Sequence, residues 1–186
     1  MFEGKWIRLR AFDNADLMPL WKSMNDEEAM GMLSGAPLLP ATVEDTAQFM
    51  AAQTSHSAGE YQFAMERLED GRFLGRCGLS SLDRRNLRAD ITVHVAEAGM
   101  RGRGYGRDAV ALLCRFAFED LNLRRLKAQV YDCNTLCLKC LEACGFQREG
   151  VLKEEMYRFG AWHDVIELAL MRSDWEARRE ERAEGV

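Results

Sequence analysis

One stretch limits the fold more than any other. Residues 89–114, ADITVHVAEAGMRGRGYGRDAVALLC, run from an alternating segment through a glycine-rich turn directly into good helix formers. Ile91, Val93 and Val95 fall on one side of the alternation and Asp90, Thr92 and His94 on the other, which predicts a strand with an apolar and a polar face. Gly102, Gly104 and Gly106 relax the backbone where it must turn tightly. A strand that turns this way into a helix gathers unpaired N–H groups at the helix N-terminus, and the concavity they form accepts a phosphate. Arg84, Arg85 and Arg88 before the strand and Arg101, Arg103 and Arg107 after it predict positive charge concentrated around one loop, although the whole chain carries a formal charge of -5.

Pattern separates the phosphate ligands. No Lys-Ser or Lys-Thr pair follows the glycines, which excludes a P-loop. A dinucleotide fingerprint starting at Gly102 would put glycine where Arg107 stands, and it belongs to the first unit of an alternating parallel sheet, not after several antiparallel strands. The acidic balance lacks the basic face that a nucleic-acid binder needs. No run approaches the roughly 20 apolar residues of a membrane span, and MFEGKWIRLR has no apolar stretch behind its charges, so a cytoplasmic chain without a membrane partner is expected. With 47% hydrophobic residues, a chain of 186 is expected to fold as one domain over 1–186, with about 174–186 a charged and frayed tail.

WIRLRAF alternates and reads as a first strand. Asp13 caps a helix with Leu17, Leu20, Trp21 and Met24 at helical spacing, and Thr42 with Asp45 offers the capping box of another through Phe49. Between them GMLSGAPLLP is an apolar loop, expected to fold over something. EYQFAMERL and GRFLGRCGLSSL flank the hairpin signal Asp70-Gly71. Beyond the glycine turn come a helix over YGRDAVALLCRFAFEDL, a strand over RRLKAQVYD, a helix over NTLCLKCLEAC ended by Gly145, and strands around GVLKEEMYRF and WHDVIELALMR. Cys133, Cys137, Cys140 and Cys144 recur at spacings of four, three and four, a helical stripe that reads as core packing. Only CLKC resembles half of a zinc knuckle, and no metal is expected.

The glycine loop also fits [QR]-x-x-G-x-[GA] through Arg101, Gly104 and Gly106. A helix, a strand, Asn134 and ACGFQREG follow in order, and FGAWHDVIELAL carries a later Gly-x-x-x-Asp. With these motifs the chain resembles, over nearly its whole length, the GNAT superfamily of acetyl-CoA-dependent N-acetyltransferases, with best similarity to the RimJ/RimL-like and polyamine acetyltransferase branches. The resemblance implies an α+β fold: a mixed, mostly antiparallel central sheet with splayed parallel strands and helices on both faces. It implies that backbone amides across Arg101, Gly102, Arg103, Gly104, Tyr105 and Gly106 cradle the pyrophosphate of acetyl-CoA. It further implies that the freed strand edge near Val95 and Ala96 pairs with pantetheine, and that Asn134 contacts the coenzyme while it also caps the helix it begins. Dimers are common among proteins that the chain resembles, so a homodimer is an open expectation.

Direct transfer of acetyl from a thioester to an amine needs a neutral amine, a stabilised oxyanion and a proton for the departing thiolate. A side-chain amine of pKa near 10.4 costs roughly 4–5 kcal/mol to deprotonate at pH 7, an α-amino group near 8 only about 1. Asp90 resembles the position of a strand glutamate that relays the proton in some family members. His94 on the same face and Glu97 just outside the strand are the other candidate bases. Many members carry a tyrosine seven residues after the Asn; this chain has Leu141 there, and Cys137 stands where some relatives have a serine. The amine pocket is expected between about Trp21–Pro40 and Met156–Asp164. There Asp26, Glu27 and Glu28 offer acid, and Tyr157, Phe159, Trp162, His163 and Asp164 an aromatic and acidic rim. The favoured acceptor is a peptide or protein N-terminal amine. A polyamine, aminoglycoside or amino-sugar acceptor and a non-catalytic acetyl-CoA sensor are the alternatives.

Overall fold

The computed structural model describes residues 2–33, 35–54 and 60–184. Strands β1 (Phe2–Glu3) and β2 (Ile7–Arg10) lead through a 3-10 turn at Asn14–Asp16 into helices α1 (Leu17–Met24), α2 (Glu27–Gly31) and α3 (Val43–Thr54). There follow β3 (Tyr61–Arg67), β4 (Phe73–Asp83), β5 (Arg88–Val95), α4 (Tyr105–Arg115), β6 (Arg125–Tyr131), α5 (Thr135–Ala143), β7 (Gln147–Arg158), β8 (Ala161–Met171) and α6 (Arg172–Glu184). The caps lie where the sequence puts them. Asp13 and Asp16 exchange capping-box hydrogen bonds. Ahead of α3, the Thr42 N–H donates to Asp45 Oδ2 at 2.9 Å and the Asp45 N–H to Thr42 Oγ1 at 3.0 Å.

All the strands lie in one sheet of order β1-β2-β3-β4-β5-β6-β8-β7. Its pairings are antiparallel except β5 with β6, which run parallel over Arg88, Ala89 and Asp90 against Arg125, Leu126 and Lys127. Past Asp90 the two strands part: β5 stays with β4 as far as Val95, while β6 stays with β8 as far as Tyr131. The wedge between them is the origin of the site.

Helices cover both faces, because β5 alternates as its sequence demands. On one face Ala89 and Ile91 join Val110, Leu113, Leu126 and Leu168 in the main core. On the other a smaller cluster of Leu20, Met50, Ala64 and Phe73, flanked by Phe12 and Phe49, seats α1 and α3. Helix α4 widens into a π-type turn over Phe116–Asp120, and this carries Phe116 to Phe2, Tyr61 and Phe63 at ring-centroid distances of 5.3, 5.2 and 5.4 Å. The Asp108 carboxylate ties α4 to the β1–β2 turn by accepting the N–H groups of Lys5, Trp6 and Ile7 at 3.1, 2.7 and 3.1 Å.

Three sequence expectations are corrected. Arg84 and Arg85 sit in the β4–β5 turn, while Arg101, Arg103 and Arg107 lie beyond the other end of the eight-residue β5, roughly 20 Å away. The arginines therefore form two groups, and Arg88 is taken by Asp83 at 3.3 Å. The charged end is not a frayed tail through residue 184: it forms α6, docked by Trp175 against Phe118 with ring centroids 5.2 Å apart and by the Arg172 N–H on Arg124 C=O at 3.0 Å. Cys133 is exposed in the turn before α5, so the helical stripe begins at Cys137. No helix among the described residues is long and apolar enough to cross a membrane.

Candidate active site

The wedge opens into a cleft of about 570 Å³, bounded by β5, β6, the glycine loop, α5 and α2. That volume suits a small-molecule ligand. At its floor α4 begins with the bond from Asp108 N–H to Gly104 C=O at 3.0 Å, so the N–H groups just upstream have no partner within the helix. Gly104 is the cap at φ +94° and Gly102 lies at φ +75°, and a Cβ on either would meet no atom within 4 Å. The backbone there borders open space on the side a Cβ would occupy, so a ligand can approach it closely. A Cβ on Gly106 would come within 3.7 Å of Cys140 Sγ and 3.9 Å of Val93 and Val95, so this glycine lets α4 approach β5 and α5 closely.

Of the loop residues named from the sequence, Arg101, Gly102, Gly104 and Gly106 line the cleft, and Arg107 and Lys139 add positive charge. Arg103 and Tyr105 are not in the lining. The Tyr105 hydroxyl is engaged with Arg67. The Arg101 side chain turns back, with Nε donating to Val95 C=O at 3.1 Å and Nη2 to Ala96 C=O at 3.3 Å, and it braces the end of β5. The Ala96 N–H donates to Leu74 C=O at 2.8 Å. Both backbone groups of Ala96 are thus occupied, which corrects its assignment to the open strand edge. By the alternation of an antiparallel ladder, Val93 and Val95 turn their N–H groups toward the wedge. Asn134 caps α5, its Oδ1 accepting the Cys137 N–H at 3.2 Å, and it also lines the cleft. With the oxygen so occupied, Asn134 offers a ligand its amide nitrogen.

The candidate acid–base residues part company. His94 is 7% exposed, lines the cleft and has Nε2 2.6 Å from Ser23 Oγ on α1. Burial, then the nearby Arg76 and Arg101 guanidinium groups, push its pKa down to about 4, against a smaller opposing effect of Asp26. Asp90 lies at the apex, in register with Ser80 and Lys127, one residue short of the cleft wall. The Glu97 carboxylate is held by Arg72 at 2.5 Å, outside the cleft lining. Cys137 lines the cleft, and burial first, with Cys140 beside it, pushes its thiol up to about 12. Leu141, in the tyrosine's place, is buried and forms part of the apolar floor.

The acceptor end joins two segments far apart in sequence. Arg158 Nη2 donates to Ala36 C=O at 2.7 Å. Phe159 packs so closely on Gly31 that a Cβ there would lie 2.4 Å from its ring, and Met156 does the same to Gly35 at 2.9 Å. Asn25 and Trp21 hold Ala41 and fix the far end of the loop. The apolar loop does fold over a neighbour, namely the β7–β8 hairpin; Ser34 lies outside the described residues. From this side the cleft wall takes Glu28, Ala29, Met32 and Leu33, all of α2 and the turn after it. None of the aromatic and acidic rim lines the cleft: Phe159 is packed on Gly31, Tyr157 and Trp162 meet edge to face with ring centroids 5.3 Å apart while exposed, and Asp164 is engaged by Lys153 at 2.7 Å. The expected Trp21–Pro40 segment contains Ser23, Met32 and Leu33, but sequence reasoning singled out none of them, and it did not name Lys139 on α5. Only the cap Asp26, whose Oδ1 accepts the Ala29 N–H at 3.0 Å, marked the short α2 in the sequence.

The profile of the acetyltransferase (GNAT) domain matches residues 7–147, a span that takes in every residue of the cleft lining. The chain belongs to the GNAT acetyltransferase family. An uncharacterized N-acetyltransferase of Bacillus licheniformis is 26% identical over 169 residues, 91% of this chain and 94% of that protein. YdaF of Bacillus subtilis, whose name assigns it provisionally to ribosomal N-acetylation, is 30% identical over 112 residues, 60% of this chain and 61% of that protein. The crystal structure of spermidine N-acetyltransferase from Vibrio cholerae in complex with CoA and spermine has the same fold. Its TM-score is 0.81 at 21% identity, covering 91% of this chain and 98% of that one. The GNAT chain is therefore an acyltransferase with acetyl-CoA as co-substrate. The open glycine cradle and the unpaired strand edge fit a phosphate-bearing thioester of that kind.

Proposed function

We propose that this GNAT enzyme is of the RimJ/RimL-like branch and acetylates a weakly basic primary amine, the N-terminal α-amino group of a peptide or protein. One observation carries the reading: the ionisable side chain set most deeply in the cleft wall, His94, is held to a pKa of about 4 and is too weak a base for an alkylammonium ion. An α-amino group requires only about 1 kcal/mol of deprotonation at pH 7, so it suits a site with little basic equipment. The backbone amides of Gly102, Gly104 and Gly106 hold the pyrophosphate, the Val93 and Val95 edge receives pantetheine, and the Asn134 amide nitrogen contacts the coenzyme. Asp90 takes up the ammonium proton through water from its place at the apex. Cys137 holds its proton too tightly to protonate a thiolate of pKa near 8.5, so solvent supplies that proton.

A second reading has a specific observation in its favour. Glu28 lines the acceptor end, and an acidic wall suits a polyamine such as the spermine held in the Vibrio cholerae complex. Intact-mass analysis after incubation with acetyl-CoA and a mixed panel of N-terminal peptides, polyamines, aminoglycosides and amino-sugars separates the two. Acetylated peptide in excess supports the first reading, and preferential acetylation of spermidine replaces it with the second. Bound acetyl-CoA with every amine unmodified would favour a sensor. Asp90→Asn is expected to lower kcat with little change in acetyl-CoA affinity, and the loss shrinks as rising pH deprotonates the amine unaided. Equal kcat at neutral pH would remove Asp90 from the proton path.

A further inference from the structure

We propose that Asp132, Cys133 and His163 form a binding site for a divalent transition-metal ion of the zinc class, beside the cleft, which Cys133 alone of the three lines. A carboxylate oxygen, a thiol sulfur and an imidazole nitrogen lie within 4.8 Å of one another. In a tetrahedral zinc site with bonds of about 2.0–2.3 Å the ligand atoms lie roughly 3.3–3.8 Å apart, so small side-chain rotations close the set. Asp132 and Cys133 follow directly on β6, and their backbone is fixed: the Asp132 N–H donates to Asp164 C=O at 3.0 Å and the Asn134 N–H to Tyr131 C=O at 2.9 Å. His163 stands on the adjoining strand β8, where Met156 is its partner across the hairpin.

The second observation is the setting of the His163 ring. Its Nε2 lies 3.2 Å from Arg158 C=O, and its Nδ1 lies 3.0 Å from Asp132 Oδ1. Both neighbours only accept hydrogen bonds. With Nε2 directed at the carbonyl, Nδ1 is the ring nitrogen that faces the Asp132 carboxylate, so the two groups present their ligand atoms to the same point. A backbone carbonyl holding the far nitrogen is the outer-shell partner that metal-bound histidines normally have. Cys133 Sγ completes three ligands from the cleft side, 3.8 Å from Met32 Sδ on the turn after α2, and it gives up its proton to the buffer as the metal–sulfur bond forms. Three protein ligands leave a fourth position for water or another small ligand. The ligand set differs from the CLKC half-knuckle: Cys137 and Cys140 lie on α5 and take no part.

The test is titration of the chelator-washed full chain with Co²⁺, read by its visible and near-ultraviolet spectrum, followed by displacement with Zn²⁺ in a calorimeter. The expected result is one equivalent of tetrahedral cobalt with a thiolate charge-transfer band. Cys133→Ser should lose that band, His163→Ala should bind at least tenfold more weakly, and Cys144→Ser should keep both band and affinity. Circular dichroism and acetyl-CoA binding verify that each variant is folded. A spectrum without the thiolate band, or affinities unchanged in both Cys133→Ser and His163→Ala, would overturn the site. Acetylation activity does not enter these readouts, so the outcome is independent of the acceptor assignment.

Discussion

The two ends of the cleft are built from different materials. The coenzyme end is backbone: helix N–H groups, two left-handed glycines and the edge of a strand that has left its neighbour. The acceptor end is side chain and loop, with Phe159 on Gly31, Arg158 on Ala36 and Met156 on Gly35, residues more than a hundred positions apart. Backbone geometry constrains sequence narrowly, because few residues accept φ near +90°. Packing between two distant segments accepts many pairs of shapes, so it fixes little that a single sequence reveals.

The largest expected effect falls on the coenzyme end. Gly104→Val forces a branched side chain onto φ +94° and disturbs the donors of the helix start, and acetyl-CoA affinity should fall about a hundredfold, ~3 kcal/mol, by calorimetry. Unaltered affinity would mean that the loop is not the cradle. Next in size is the pH dependence set by His94, whose ring is neutral in the fold down to about pH 4, whereas the unfolded chain protonates it near 6.5. Its lowered value therefore leaves stability complete above pH 6.5 and removes up to about 3 kcal/mol as the pH falls through 4. Urea unfolding between pH 7 and about 4 should show that slope, and His94→Gln should flatten it by the contribution of one group. The same slope in both proteins would contradict the burial argument.

A smaller effect tests whether the glycine loop stands on its own support. Asp108→Ala strands the N–H groups of Lys5, Trp6 and Ile7, and unfolding free energy should drop by about 1–2 kcal/mol, while acceptor KM stays near its starting value. A change in acceptor KM without lost stability would break the separation between the two ends. The mildest is Phe159→Ala, which loosens the roof over Gly31: acceptor KM should rise several-fold while acetyl-CoA affinity stays within about twofold. Equal losses for both substrates would show that the ends act as one unit.

These contrasts also explain how far the sequence could be read. The alternation of Ile91, Val93 and Val95, the glycine spacing and the caps at Asp13, Thr42 and Asn134 are local signals, and the strand, turn and helices appear where they point. The wedge itself depends on β6 following β8 away from β5, a long-range pairing with no local mark. Arg101 misled in a different way. Its charge suggested an anion ligand, but its length lets it reach back to Val95 and Ala96, and a sequence does not record where a long side chain turns. The partnership of Ser23 with His94 joins residues 71 positions apart and had no signal of its own. Cys133 fell on the helical spacing of the other cysteines, yet the Asn134 cap starts the helix after it and leaves its thiol outside.

Amide hydrogen exchange with and without acetyl-CoA, resolved residue by residue by NMR, tests the backbone cradle most directly. Exchange should slow on binding at the N–H groups from Gly102 to Arg107 and at Val93 and Val95, with α6 unaffected. Saturating acetyl-CoA that leaves those amides exchanging at their free rates would contradict it.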